Sequence, residues 1–290
     1  MTASRVSVFR DCRNIVGESP LWDRARQCLW WVDIGGLALH RAWLEGSGIE
    51  SWSVPAPPAA MALDQAGHIL LAVGHDLCRF APDAAQWSTL ATNPAPLPAT
   101  RFNDGVTDAA GRFWLGTLHD ARDPVGTLYC YDGQTLHARE TGLRTQNGCA
   151  VSPDGTTFYL ADSHPDIRSI WAYDLDGATG ALENRRLFHR VERGRPDGAA
   201  IDADGCYWFA AVDGGCVTQL DPTGAVMRSI DLPVSRPTKP AFGGPDLTTL
   251  FVTSMTTGTD PAREPLAGAV LAIEALAKGI ELWRFGPESP

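Results

Sequence analysis

The sequence predicts an all-β fold, a six-bladed β-propeller with four-stranded blades, over residues 1–290 as a single domain. Three observations predict it. Six similar segments recur along the chain: DRARQCLWWVD from Asp23, DQAGHILLAV from Asp64, DAAGRFWLGT from Asp108, SPDGTTFYLAD from Ser152, DADGCYWFAA from Asp202 and GPDLTTLFVTS from Gly244. Their starts lie 41, 44, 44, 50 and 42 residues apart, the length of one propeller blade. Each unit reads as about four short apolar or alternating runs separated by polar and glycine turns, and no clear amphipathic helix interrupts them.

Within a unit, a short apolar stretch such as AAMAL, GCAV or GAAI comes first, and the repeat segment supplies the second strand. Asp154-Gly155 and Asp204-Gly205 suit the tight turn between the two. Third strands follow as LALHRAWL, HDLCRFAP, GTLYCYDG, SIWAYDLD, CVTQLDPTG and GAVLAIE. Outer strands follow as IESWSV, WSTLAT, LHARET, RRLFHRV, VMRSIDL and IELWRF. VSVFRDC near the N-terminus is expected to complete the last blade and close the ring. Residues 266–279 have helical propensity, but the repeat demands strand plus turn there. The proline-rich stretches at 55–58 and 93–99 read as loops between blades.

Composition limits the partners. The net charge of −10 and pI near 5.1 make nucleic acid and anionic membranes poor ligands. No run of about 18 apolar residues predicts a membrane span, and the N-terminus lacks the apolar region of a secretory signal. The seven cysteines are odd in number and scattered, without a CxxC pair, which suits free thiols in a reducing cytoplasm. Of the 24 basic residues only Lys239 and Lys278 are lysines.

The innermost strands of a propeller surround a central channel, so one fixed place in each repeat should form a ring. Five positions before each repeat start stand Glu18, Ala59, Asn103, Asn147, Asp197 and Lys239. Glu18, Asn147 and Asp197 offer hard oxygen ligands, with Asn103 as a fourth, a set suited to Ca²⁺, Mg²⁺ or Mn²⁺ and able to hold Zn²⁺. Two carboxylates on one axis repel unless a cation or proton intervenes. Turn chemistry is the plain alternative for Asn147-Gly148 and Asp197-Gly198 taken singly. Arg101 could clamp a carboxylate or hydroxyl-rich ligand, Lys239 could neutralise an oxyanion, and His119 and Asp120 end a strand that could face the same mouth. Trp30, Trp114 and Trp208 sit in strand interiors and read as core. No GxSxG elbow, HExxH, P-loop or GxGxxG is present.

GESPLWD at 17–23, WVDI at 31–34, RFNDG at 101–105, GRFWLGT at 111–117, QNG at 146–148, PDG at 196–198 and AFGGPDLTTLFVT at 241–253 resemble, in order, the gluconolactonase family that includes regucalcin. The resemblance implies a six-bladed propeller with a central metal site that holds one divalent ion (Ca, Zn, Mn, Mg or Fe(II)). It implies that Glu18, Asn147 and Asp197 bind the metal, that Arg101 and Asn103 contact substrate, and that the activity is hydrolysis of a sugar lactone. This chain departs from some animal members in carrying LHDAR at 118–122, where Asp120 is expected to take over a substrate contact. On that basis Asp197 is the candidate general base, Lys239 or Arg101 steadies the oxyanion, and the protein acts on a small-molecule lactone as a monomer or weak homo-oligomer. Two other readings stand beside it: a metal-dependent aryl-ester or phosphotriester hydrolase on the same scaffold, expected to have an aromatic-lined mouth, and a non-enzymatic calcium-binding propeller.

Overall fold

A computed structural model describes residues 5–274 and 277–287. Six four-stranded antiparallel sheets are arranged as blades around a central channel. The innermost strands are Gly17–Asp23, Pro58–Leu63, Thr100–Thr107, Gln146–Val151, Arg195–Ile201 and Pro237–Gly243, heading blades 1 to 6 in that order. Blades 1 to 5 each use four consecutive strands. Blade 6 takes its outermost strand, Val6–Arg10, from the other end of the chain, paired antiparallel to Val270–Glu274. The N-terminal run therefore closes the ring as its sequence predicts, and the segment around residue 270 is a strand rather than a helix. Among the described residues the helical elements reduce to one short 3-10 turn, Pro82–Ala84.

The core lies between blades rather than at the centre. The inner part of each sheet is buried on both faces, so its second strand is mainly apolar instead of alternating. In Cys28–Asp33 all six residues are buried. Trp30 and Val32 pack towards blade 2 with Leu71 and Phe80, whereas Leu29 and Trp31 pack towards blade 6 with Phe251 and Val270. Burying a large aromatic side chain in this way contributes about 2–3 kcal/mol.

The recurring aspartate at the start of the repeats is the turn cap. In Asp108 one carboxylate oxygen accepts from the amides of Ala110 and Arg112 at 3.0 Å, closing the hairpin. The other accepts from Trp114 Nε1 at 2.8 Å. Asp202 does the same for Asp204, Cys206 and Trp208. The repeat thus satisfies the indole N–H that burial would otherwise strand. Asp154-Gly155 and Asp204-Gly205 form the expected turns, with Gly155 and Gly205 in the left-handed region.

One expected strand is absent. IELWRF joins no blade, because Val6–Arg10 occupies the outer edge of blade 6. Residues 278–286 instead cross the far end of the channel. There Gly279 donates to Leu247 O at 2.8 Å, Phe285 to Leu63 O at 2.7 Å and Gly286 to Gly111 O at 2.9 Å. Thr107 Oγ1 donates to Trp283 O at 2.5 Å, and Phe285 stacks on Tyr131 with ring centroids 5.5 Å apart.

Candidate functional site

All six innermost strands carry a β-bulge at the same level. In blade 1, Glu18 pairs with Val32 and Leu21 with Trp30, so three residues of the inner strand span two of its neighbour. Equivalent shifts follow Pro58, Phe102, Asn147, Pro196 and Pro237. A bulge turns adjacent side chains to the same side of the sheet. Here it lets the last paired residue and the residue after it both address the channel.

The bulge corrects the expected ring. Glu18 and Asn147 are last paired residues, whereas Ala59, Asn103 and Asp197 stand one place further on and Lys239 two. The six are therefore drawn from three structural levels. Behind Glu18 and Asn147 the chain enters the left-handed region, at Ser19 (φ 49°) and Gly148 (φ 59°), while Asn103 and Asp197 need no such residue. Gly148 is also required by space, since a Cβ there would lie 2.4 Å from the Tyr207 hydroxyl. Asn147-Gly148 and Asp197-Gly198 are thus bulge dipeptides within strands, not turns.

Glu18, Arg101, Asn103, Asn147 and Asp197 line one cavity of about 210 Å³ at the end of the channel where the innermost strands begin. Their orientation follows from a relay of hydrogen bonds with fixed polarity. Arg101, which can only donate, gives Nη1–H to Asn103 Oδ1 at 2.9 Å. Asn103 Nδ2 is then the donor to Asn147 Oδ1 at 2.9 Å and to Gln146 O at 2.7 Å. Asn147 Nδ2 donates to Ser163 Oγ at 2.9 Å, and Ser163 donates to the carbonyl of Pro196, beside Asp197. Both amide oxygens are thereby assigned, and Asn147 Oδ1 keeps one lone pair beyond the one Asn103 uses.

Glu18 and Asp197 are buried carboxylates that repel one another. Burial holds Glu18 well above the ordinary carboxylate range, with Asp197 and Asp104 adding to the rise. Burial and then Asp104 push Asp197 up to about 7, against the pull of Arg195, Arg122 and Arg236. Burial pushes Arg101 down to about 10. Of the four arginines that line the cavity, two are engaged by another acid. Arg195 and Arg236 share Asp213, at 2.6 and 2.9 Å.

Lys239 does not serve the mouth. Its ammonium pairs with Asp104 and donates to Gly105 O at 3.2 Å, one level deeper, where it lines a second cavity. Gly198 leaves room for its stem: a Cβ there would lie 2.4 Å from Lys239 Cβ. Asp120 does not line the mouth cavity either. It is exposed in the turn after Phe113–His119, and His119 Nδ1 faces Asp123 at 3.1 Å. Arg122, two residues on, lines the cavity instead.

Three arginines escaped the sequence reading. Arg195 and Arg236 occupy the same level as Arg101, immediately before the last paired residue, a signal visible once blades are aligned on their bulges. Arg122 lies outside the repeat and carries no such signal. Among the described residues no group of three or more His, Cys, Asp or Glu side chains is placed to hold a metal; the donor set here is two carboxylates and amide oxygen.

A family model for the SMP-30/Gluconolactonase/LRE-like region matches residues 16–256. The chain is 36% identical to 6-deoxy-6-sulfogluconolactonase of Pseudomonas putida, over 92% of this chain and 93% of that protein. It is 36% identical to regucalcin of Gallus gallus, over 98% and 99%. Among solved structures it resembles the calcium-binding protein regucalcin of Agrobacterium tumefaciens (TM-score 0.91, 26% identity, 99% of each chain). It also shares the fold of a Xanthomonas campestris gluconolactonase (TM-score 0.76, 22% identity, 93% and 89% covered). Fold, bulged inner strands and family match together make this chain a member of the SMP-30/gluconolactonase/LRE-like family.

Proposed function

We propose that the protein hydrolyses a sugar (aldono) lactone to the corresponding sugar acid, with one divalent cation held by Glu18, Asn147 and Asp197. The observation that carries this reading is the pair of buried carboxylates, Glu18 and Asp197, facing one cavity while Arg195, Arg236 and Lys239 are bound to other acids. Such a pair fits a cation: two hard anionic donors and the free lone pair of Asn147 converge, and binding would offset the burial that raises both carboxylates and the repulsion that Asp197 exerts on Glu18. When bound, the cation supplies Lewis acidity to the lactone carbonyl.

The chain's own residues account for the remaining steps. Asp197 takes a proton from the attacking water and returns it to the ring oxygen as the acyl C–O bond breaks. Arg101 remains charged, is fixed by Asn103 and Phe102 O, and offers its other N–H groups to the substrate's oxygens. Asn103 positions Asn147. The named relatives support a lactone as the ester, one by a sulfogluconolactone activity and one by gluconolactonase. Among the described residues no aromatic side chain lines the cavity, which gives an aryl ester no stacking surface.

The test is acid release from gluconolactone, xylonolactone, arabinonolactone and galactonolactone, followed with a pH indicator against the spontaneous rate. Enzyme-dependent release that stops with a chelator and returns with a divalent ion is expected. Turnover indifferent to chelator would refute the cation's role, and no turnover of any lactone with any of Ca²⁺, Mg²⁺, Mn²⁺, Zn²⁺ or Fe²⁺ would refute the activity.

A further inference from the structure

The mouth cavity holds more positive charge than a neutral sugar requires. Arg101, Arg122, Arg195 and Arg236 all line it. Arg195 and Arg236 have one acid between them, Asp213. Arg101 is held by the neutral oxygens of Asn103 and Phe102. Arg122 forms no ion pair among the described residues, and its Nη1 is buried without an acceptor. The acids it feels are Asp197, Asp120 and Asp162, with Arg195 opposing. Of these Asp120 is exposed and screened by solvent, and Asp162 is engaged by the backbone amides of Arg144, Thr145 and His164. Once a divalent cation neutralises Glu18 and Asp197, the cavity is left with four guanidinium groups against Asp213, in a protein whose overall charge is −10.

A buried guanidinium nitrogen without an acceptor is costly unless a ligand completes it. The backbone at Arg122 adds to this, since φ is 62°, a conformation in which glycine would be easier. A planar fork of donors suits an oxyanion group with several equivalent oxygens better than a ring hydroxyl.

We infer that the preferred lactone carries a second acidic group, a sulfonate, phosphate or carboxylate remote from the ester, and that Arg122, with Arg101 and Arg195 beside it, is the specificity-determining residue that receives it. This inference rests on the proposed lactonase reading and narrows its substrate class. Specificity of this kind is a ratio: the acidic substituent satisfies Arg122, and a hydroxymethyl group at the same place leaves it unmet.

The experiment compares kcat/KM for glucono-1,5-lactone with that for its 6-phospho, 6-deoxy-6-sulfo and 6-carboxyl counterparts, in wild type, Arg122→Gly and Arg122→Lys. The glycine variant suits the left-handed backbone, so its folding is secure. Wild type is expected to favour one acidic lactone over the neutral one by at least tenfold, less so at high salt, and the favoured member identifies the acid. Arg122→Gly should lower that ratio at least tenfold, and Arg122→Lys should restore part of it. Equal preference in wild type, or an equal fall for neutral and acidic lactones in Arg122→Gly, would overturn the inference. A calorimetric titration of the loaded protein with 6-deoxy-6-sulfoglucose, which has no ester to cleave, separates the two readings. Arg122-dependent binding without lactone turnover keeps the subsite and discards the hydrolase; turnover of the neutral lactone with no binding of acidic ligands does the reverse.

Discussion

The two halves of the central channel are built from the same six strands, yet they differ in kind. On the near side of the bulges the channel is wide, charged and open, lined by Glu18, Asn147, Asp197 and four arginines. On the far side it narrows to a cavity of about 60 Å³ among Met61, Val106, Ala150, Ile201 and Phe242, capped by Ile280, Leu282 and Trp283. The Lys239–Asp104 pair lies at the boundary. The difference shows that one repeated strand can present chemistry before its bulge and packing after it, so the two halves should fail differently when altered. The largest effect belongs to the near half. Asp197→Asn should lower kcat/KM for a lactone by about 10⁴-fold, or ~5.5 kcal/mol at the transition state. In chelator the same variant should melt higher than wild type at pH 8, because it removes one of two buried repelling carboxylates. A variant that loses both activity and stability would mean that Asp197 is structural.

At the boundary the expected loss is of stability. Lys239→Met leaves Asp104 buried and charged, with only the Cys149 amide (2.8 Å) still donating to it, and should cost about 3–5 kcal/mol in urea unfolding. Burial alone would lower the Lys239 pKa, but Asp104 and Glu18 raise it overall, so its ammonium stays charged at neutral pH. Replacing both partners, Lys239→Met with Asp104→Leu, should recover most of that loss. If the single variant unfolds normally but turns over slowly, Lys239 acts on substrate after all and the boundary is misplaced.

These contrasts also mark what the sequence could reveal. The blade count was legible because four of the six repeats, at Asp23, Asp64, Asp108 and Asp202, reuse an aspartate to cap the hairpin before an apolar strand, as Asp108 does for Trp114 and Asp202 for Trp208. The site was legible only in part. From the last paired residue to the repeat start there are five residues in blades 1 and 4, six in blades 2, 3 and 5 and seven in blade 6. A count back from the repeat start therefore reached the cavity at Glu18, Asn103, Asn147 and Asp197, and in blade 6 stopped at Lys239, two residues short of the last paired residue. Arg122 stands in a turn between the second and third strands of blade 3, which repeats nowhere, so nothing periodic pointed to it. IELWRF had the pattern of a strand, and only the closing role of Val6–Arg10 displaced it.

The far half can be tested through its cap. Phe285 is buried against Tyr131, and Phe285→Ala should lower stability by about 2–3 kcal/mol, towards the lower end for core aromatics because the segment lies at a surface. Lactone kcat/KM at saturating metal should change less than threefold. A larger kinetic effect would mean that the cap governs the mouth across the channel, and the two halves would then be one device.

The smallest effect sharpens the near half through pH. In the metal-free protein Asp197 is raised to about 7 and Glu18 is raised as well, so a cation must displace protons below that pH. Apparent metal affinity should rise about tenfold per pH unit for each proton displaced, through the range in which Asp197, raised to about 7, still holds its proton. The stability of the metal-free protein should run the opposite way. A carboxyl whose folded pKa exceeds its unfolded value binds more protons when folded, so stability falls as pH rises from about 4 to 7. Adding the cation should cancel that fall. Calorimetric metal titrations at pH 6, 7 and 8, with melting curves in chelator at the same pH values, measure both slopes. A metal affinity independent of pH over this range would show that Glu18 and Asp197 are not the groups that yield to the ion.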